Sequence, residues 1–273
     1  MDKEPLYLWC ARPEDVLTET AFGACAQLLS EDEQIHLGEF RFDQHRREYL
    51  TTRALVRTAL SCYYPVAPDA WRFQLNRYGK PSVNPDCGLR FNLSNSPKLA
   101  VCLISQGAEV GVDAEPCERA GEIAELGPEV FSSLELEQFK ALRGAERLDR
   151  ALSLWTLKEA YIKARGMGLS LPLKGFSFVF GGVNGIRLEL DPSLDDKAER
   201  WRFCLLEHAG HRIAVMVERV AAFDLQFLEA RPPLSSARRL PGGAEPWFPL
   251  QPNEIPAERQ EESRESLESL GGS

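Results

Sequence analysis

Hydrophobic and polar positions divide residues 1–229 into helix-like and strand-like segments. Apolar residues at helical spacing predict helices over 17–29, from Ser30 onward, and over 43–63, 133–143 and 151–165. Short apolar runs between turn residues predict strands over 6–11, 89–96, 99–105, 110–116, 176–180, 186–190, 201–207 and 212–219. Each half of the chain thus offers helices followed by antiparallel strands. The pattern predicts an α+β fold of two similar α/β subdomains that form a pseudo-dimer.

The pattern ends near Ala230. The remaining residues are rich in Pro, Gly, Ser and Glu, with AEPWFPL (244–250) as the one apolar patch. Such a segment cannot bury enough apolar surface to offset the entropy of ordering it, so we expect a disordered tail. The predicted organisation is an N-terminal subdomain over 1–112, a C-terminal subdomain over 113–229 and the tail over 230–273.

Charge and cysteine content narrow the class of protein. The chain of 273 residues has a formal net charge of −9, which argues against nucleic-acid binding through its overall field. No stretch reaches the ~18 apolar residues of a membrane helix, and the N-terminus has no signal-peptide pattern. The seven cysteines are scattered without a C-x-x-C pair, which favours reduced thiols. We expect a cytoplasmic protein without a membrane partner.

The strand VGVDAEP (110–116) carries two carboxylates. Because residues i and i+2 share a face of a strand, Asp113 and Glu115 are predicted to project together, with Ala114 opposite. Paired carboxylates repel unless a cation or a proton lies between them, and Mg²⁺ prefers such oxygen ligands. The alternative is a strand end with exposed acidic residues.

The helix over 151–165 also carries charges. Glu159 and Lys163 are four residues apart and share a face, which alone would be typical of a surface ion pair. Lys158 and Lys163 are separated by about 140° around the helix, so both cannot sit centrally on one face. Gly166 is predicted to end the helix.

Basic residues cluster in the first half of the sequence. A predicted helix holds Arg41, Arg46, Arg47, Arg53 and Arg57, and NRYGKP (76–81) adds Arg77 and Lys80. A lysine in such a turn can present its ammonium group to phosphate. A charged amphipathic helix and a generic turn are the alternative. The four histidines form no metal-binding motif, and the chain has no phosphate-binding glycine loop.

Four blocks resemble the Sfp-type 4′-phosphopantetheinyl transferases, which activate acyl and peptidyl carrier proteins. The blocks are FRFDQHRREYLTTRALVR (40–57), YGKP (78–81) with FNLSNS (91–96), GVDAEP (111–116), and FSSLELEQF (131–139) leading to WTLKEAYIKARGMGLSLPL (155–173). The resemblance covers residues 5–220. It implies transfer of the 4′-phosphopantetheine arm of coenzyme A to a serine of an apo carrier protein, with Mg²⁺ as cofactor and 3′,5′-ADP as product. Fatty-acid, polyketide and nonribosomal peptide carriers are all candidate partners, and family members are usually monomers.

The resemblance also implies roles for individual residues. Asp113, Glu115 and Glu159 correspond to the Mg²⁺ carboxylates, and Glu159 and Lys163 to the catalytic pair. The implied coenzyme A ligands are Lys80, Ser94, Asn95, Lys158, Lys163, Arg53, Arg77 and His36. Glu135 matches an acidic position without an assigned role.

Two positions depart from the family pattern. Asn95 stands where a histidine is frequent, so its contact with phosphate is at most a hydrogen bond. Ala114 replaces a larger aliphatic residue. Two other functions fit part of the pattern: another phosphoryl-transfer enzyme such as a kinase, and a non-catalytic module that binds coenzyme A or carrier proteins. The absent glycine loop argues against the first, and the retained carboxylates argue against the second.

Overall fold

The structure is a computed structural model that describes residues 4–181, 185–218, 222–231 and 236–239. The helices are α1 (Glu19–Ala26), α2 (Glu31–Glu39), α3 (Asp43–Ser61), α4 (Ala120–Val130), α5 (Ser133–Ala141) and α6 (Gly144–Arg165). The strands are β1 (Glu4–Ala11), β2 (Phe73–Leu75), β3 (Pro81–Val83), β4 (Leu89–Asn95), β5 (Ala100–Gln106), β6 (Val110–Pro116), β7 (Phe176–Phe180), β8 (Ile186–Leu190), β9 (Trp201–His208), β10 (His211–Glu218), β11 (Phe223–Arg231) and β12 (Ser236–Arg239). The predicted α+β class is confirmed.

Two sheets pack face to face at the centre of the molecule. The first has the strand order β12-β11-β1-β5-β4 and the second the order β6-β10-β9. Apolar side chains of both sheets fill the layer between them, with Leu8 and Leu103 from the first sheet and Val112 and Val215 from the second. Helix α3 covers the outer face of the first sheet and α6 the outer face of the second. This is the predicted arrangement of two helix-and-sheet halves.

Three predicted boundaries differ from the structure. Strand β6 spans the boundary predicted between residues 112 and 113. Strand β11, assigned to the second half, pairs in parallel with β1 and so belongs to the first sheet. Of the residues predicted to form the disordered tail, 230–231 and 236–239 form strand pairs, and Ala230 is buried in the core of the first half. The rest of the predicted tail, with 244–250, lies outside the described residues.

Helix α6 lies directly on β6 because Gly111 has no side chain. A Cβ atom there would lie 2.5 Å from the backbone nitrogen of Ala164 and closer still to the carbonyl oxygen of Ala160. The helix ends as predicted, with Gly166 in the left-handed conformation at φ 61°. This contact brings the charged residues of the last helical turns against the carboxylates of β6.

Helix length bears on membrane insertion. Over the described residues, every helix is too short or too polar to cross a bilayer.

Candidate active site between β4, β6 and α6

A cleft of about 470 Å³ opens where the end of β4 and β6 meet α6. We call it the acidic cleft, because three of its lining side chains are carboxylates. Its lining residues are Leu93, Ser94, Asn95, Ser96, Pro97, Asp113, Ala114, Glu115, Pro116, Arg119, Glu159 and Lys163. The cleft therefore joins residues of both halves.

Strand β6 presents its two acidic side chains to the cleft. Asp113 and Glu115 are only 4% and 9% exposed, and both contact side chains of α6. The side chain of Ala114, between them, lies in the apolar layer between the sheets. The predicted shared face of the two carboxylates is thus seen in the structure, and their burial argues against a strand end that merely exposes acidic residues.

Asp113 is held by a charged partner from α6. Lys163 Nζ donates to Asp113 Oδ1 at 2.6 Å and to Ser94 Oγ at 3.0 Å, and Ser94 Oγ donates to the same aspartate oxygen at 2.9 Å. The second oxygen, Oδ2, is buried and lacks a hydrogen-bond partner within the described part of the chain. A buried acceptor without a partner is costly, so Oδ2 is available to a ligand.

Glu115 has two donors of its own. Trp155 Nε1 donates to Oε1 at 2.8 Å, and Arg119 Nη1 donates to Oε2 at 2.6 Å. Burial and the nearby Asp113 raise the pKa of Glu115 even so. Two hydrogen bonds thus fix the side chain, while burial and the charge of Asp113 disfavour its ionised form. A bound cation would favour the ionised form.

Glu159 lies one helical turn before Lys163 and is half-buried. Burial raises the pKa of Glu159 to about 7, and the charge of Asp113 adds to the effect, while Lys163 opposes it. A carboxyl group with this pKa can hold or release a proton near neutral pH.

The donor atoms of the acidic cleft fit a hard divalent cation. Carboxylate oxygens are the ligands that Mg²⁺ prefers, and Asp113 Oδ2 has a free buried lone pair. No metal-binding group of three or more His, Cys, Asp or Glu side chains is found over the described ranges. Lys163 pairs with Asp113 at Oδ1, and Arg119 pairs with Glu115 at Oε2.

Three of the predicted coenzyme A ligands line the acidic cleft. Ser94 and Asn95 lie at the end of β4, and Lys163 reaches in from α6. Ser94 also accepts a hydrogen bond from the backbone nitrogen of Ala114 at 3.2 Å. It therefore ties β4 to β6 at the point where the carboxylates lie.

The structure does not bring Lys158, a predicted coenzyme A ligand, to the acidic cleft. Its side chain is fully buried and faces away from the cleft, where Nζ donates to both oxygens of Glu135 at 3.0 and 2.7 Å and to the Phe176 carbonyl at 2.7 Å. The helical offset of about 140° from Lys163 is the physical reason. Lys158 and Glu135 form a buried ion pair that ties α6 to α5 and β7.

The Lys80 side chain, also predicted as a coenzyme A ligand, lies outside the lining of the acidic cleft. Its ammonium group donates to Glu109 Oε2 at 2.7 Å, to the Val110 carbonyl at 3.2 Å and to the Ala164 carbonyl at 2.9 Å. These acceptors use all three N–H donors of the lysine. Lys80 lines a separate cavity of about 380 Å³ at the end of α6.

The remaining predicted basic residues lie outside the lining of the acidic cleft. Arg53 stacks over Tyr49 and lies 3.8 Å from Glu33, and His36 packs edge-on against the same tyrosine. Arg77 is exposed and stacks over Tyr78. Their proposed contact with nucleotide stays a prediction.

Sequence reasoning missed two residues of the site. The indole N–H of Trp155 donates to Glu115 and orients its carboxylate. Arg119 follows Glu115 by four residues, and a helical turn at Cys117–Arg119 brings the two side chains together. The spacing alone did not indicate this contact, because the sequence did not predict the helical turn after β6.

Comparisons with known proteins agree on one family. The family model described as 4′-phosphopantetheinyl transferase superfamily matches residues 109–216. The 4′-phosphopantetheinyl transferase HetI of Nostoc sp. is 31% identical over 173 residues, which cover 61% of this chain and 71% of that protein. A phosphopantetheinyl transferase of Thraustochytrium sp. is 31% identical over 208 residues, covering 71% and 72%. The 4′-phosphopantetheinyl transferase Sfp of Bacillus subtilis is 32% identical over 151 residues, covering 55% and 65%.

Among solved structures, a holo-(acyl-carrier-protein) synthase from Bacillus anthracis in complex with CoA (3′,5′-ADP) aligns with a TM-score of 0.34 and 16% identity. The alignment covers 40% of this chain and 94% of that one.

Proposed function

Since the chain belongs to the 4′-phosphopantetheinyl transferase superfamily, we propose that the acidic cleft is its active site. Enzymes of this superfamily move the phosphopantetheine arm of coenzyme A to carrier proteins. One observation carries the proposal. Asp113 and Glu115 of β6 and Glu159 and Lys163 of α6 line a single cleft although more than forty residues separate the two pairs. A diphosphate substrate with a divalent cation requires this mixture of carboxylates and a lysine.

In the proposed reaction the serine hydroxyl of the apo carrier attacks the β-phosphorus of coenzyme A. The bond from that phosphorus to the bridging oxygen breaks, and 3′,5′-ADP leaves with the bond electrons. The products are the holo carrier and 3′,5′-ADP. The serine loses one proton, which a group of the cleft must accept.

Asp113, Glu115 and Glu159 are the residues that would hold Mg²⁺. When bound, Mg²⁺ would neutralise charge on the diphosphate oxygens and orient the diphosphate for in-line attack. Asp113 would use its unpartnered Oδ2, and Glu115 would exchange a hydrogen bond for the cation.

Lys163 would exchange its partner during the reaction. In the free protein its ammonium group neutralises Asp113. With a cation on Asp113, the ammonium group would be less strongly attracted to that carboxylate, and its donors would become available to the phosphate oxygens. In the free protein Ser94 Oγ lies within hydrogen-bond reach of both Lys163 and Asp113.

Glu159 is the proposed proton acceptor. Burial and the charge of Asp113 raise its pKa to about 7 in the cation-free cleft. A bound cation would lower this pKa, so the carboxylate would be ionised and able to accept a proton at neutral pH. The serine proton would pass to its carboxylate directly or through a water molecule.

The test is transfer to a carrier protein. Incubating the protein with apo carrier, coenzyme A and Mg²⁺ should increase the carrier mass by one phosphopantetheinyl group in mass spectrometry. Asp113→Ala and Glu159→Ala should each abolish transfer while leaving the circular dichroism spectrum unchanged, because each removes a charge from the reacting centre. Lys98→Gln, at an exposed ion pair outside the cleft, is the matched control.

Several apo carriers of the fatty-acid, polyketide and peptide types should be tried. No mass gain with any of them would refute the transferase proposal. Near-normal turnover of either alanine variant with Mg²⁺ would refute the metal assignment alone. The cytoplasmic location and the monomeric state stay predictions.

A further inference from the structure

Arg119 is a cation of the acidic cleft that the proposed reaction has not used. Among the described residues that line the cleft, the cations are Lys163 and Arg119, against the carboxylates Asp113, Glu115 and Glu159. With all three carboxylates ionised, the lining carries a net charge of −1. A diphosphate can enter only after this balance is reversed, and a divalent cation would bring the lining to +1.

The guanidinium group of Arg119 is held from two sides. Nη1 donates to Glu115 Oε2 at 2.6 Å, toward the interior of the cleft. Nε and Nη2 donate to the two oxygens of Glu122, on α4, at 3.2 and 2.8 Å. The side chain is 36% exposed and stands at the rim.

These two contacts respond differently to a cation at Glu115. A cation would draw Glu115 Oε2 toward itself and leave Nη1 without its acceptor. The bidentate contact with Glu122 would be unaffected, because Glu122 does not line the cleft. Arg119 would thus keep its orientation while one of its N–H donors became available inside the cleft.

We propose that Arg119 binds the diphosphate of the donor substrate from the β6 side of the cleft, opposite the approach of Lys163 from α6. This inference rests on the proposed function, because it takes coenzyme A as the substrate. Arginine suits the role, since it stays charged at every physiological pH and Nη1 can donate to a phosphate oxygen while Nε and Nη2 remain on Glu122. Glu122 is then a positioning residue that keeps Nη1 aimed at the cleft.

The alternative is that Arg119 only shields Glu115 from Asp113. The two roles make opposite predictions for Arg119→Gln. A shielding residue, when removed, frees Glu115 for the metal and leaves coenzyme A affinity unchanged. A diphosphate ligand, when removed, weakens coenzyme A binding, whatever happens to Mg²⁺.

Isothermal titration calorimetry on the full chain separates them without using turnover. With Mg²⁺ present, Arg119→Gln should raise the Kd for coenzyme A roughly tenfold or more, the usual effect of losing a charge-assisted hydrogen bond. Arg119→Lys should recover part of the affinity, and Lys98→Gln, the control at an exposed cation outside the lining, should match the wild type. Glu122→Gln should weaken binding by less than Arg119→Gln.

Dephospho-coenzyme A identifies the phosphate involved, because it keeps the diphosphate and lacks the 3′-phosphate. The loss caused by Arg119→Gln should persist with this ligand. An unchanged Kd for coenzyme A, or a loss that disappears with dephospho-coenzyme A, would overturn the proposal. Because binding is measured directly, the comparison decides the role of Arg119 even if no carrier is modified and the transferase proposal fails.

Discussion

Gly111→Ala is a direct test of how α6 reaches the carboxylates of β6. The added Cβ would lie 2.5 Å from Ala164 N and 2.7 Å from Ala164 Cβ, and closer still to Ala160 O. Two of these atoms belong to the helix backbone, so no side-chain rotation relieves the clash. The helix must move away from the strand, or the strand must bend.

The size of the effect follows from these distances. Cβ contacts essentially never fall below 3.0 Å, so α6 must retreat by about 1 Å to admit a methyl group. Overpacking of this kind costs about 1–3 kcal/mol of folding free energy. The retreat would stretch the 2.6 Å contact between Lys163 and Asp113, and a misplacement of about 1 Å can reduce turnover about 10²-fold.

Urea unfolding gives the change in stability, and carrier modification gives the change in turnover. Gly23→Ala is the matched control, because Gly23 lies within α1 and a Cβ there meets nothing within 4 Å. That control should be neutral or stabilising by up to about 1 kcal/mol. If Gly111→Ala unfolded like the wild type and retained full turnover, the close approach of α6 to β6 would not be what positions the site.

Two further predictions concern buried charges. Lys158→Met should lower the free energy of unfolding by about 3–5 kcal/mol, because it leaves the buried Glu135 without its cation. Urea unfolding at pH 7 measures this change. A loss below about 1 kcal/mol would contradict the importance of the buried ion pair. Glu159 has a folded pKa raised to about 7 from 4.5, so its ionisation disfavours folding increasingly as pH rises between these values. The free energy of unfolding of Glu159→Gln should therefore rise relative to that of the wild type between pH 5 and pH 8, by on the order of 1–3 kcal/mol. If the difference between the two free energies did not change with pH, Glu159 would have an ordinary pKa in the folded protein.

The sequence predicted the site best where local geometry decides it. The alternation of strand residues placed Asp113 beside Glu115, and helical spacing placed Glu159 with Lys163. Helical spacing also separated Lys158 from Lys163, but the resemblance to a family led us to place both on phosphate. In the structure the two lysines lie on different sides of α6, as the spacing predicts: Lys158 contacts Glu135 and Lys163 contacts Asp113.

Other features depend on contacts that spacing cannot show. Helix α4 was missed because Pro128 lies within it and Gly121 near its start, residues that are typical of loops. The three acceptors of Lys80 come from β6, its preceding turn and α6, all distant in sequence. The family assignment and the α+β class were predicted from sequence and are confirmed.

The parallel pairing of β11 with β1 also bears on how the protein is made. Until residues 223–231 leave the ribosome, β1 has β5 on one side and an unpaired edge on the other. Its apolar residues Leu6 and Leu8 belong to the central layer, which also needs strands from the second half. The native pairing of β1 on this edge therefore forms only after β11 has been synthesised, and an unpaired edge of an apolar strand is a site at which chains can associate wrongly.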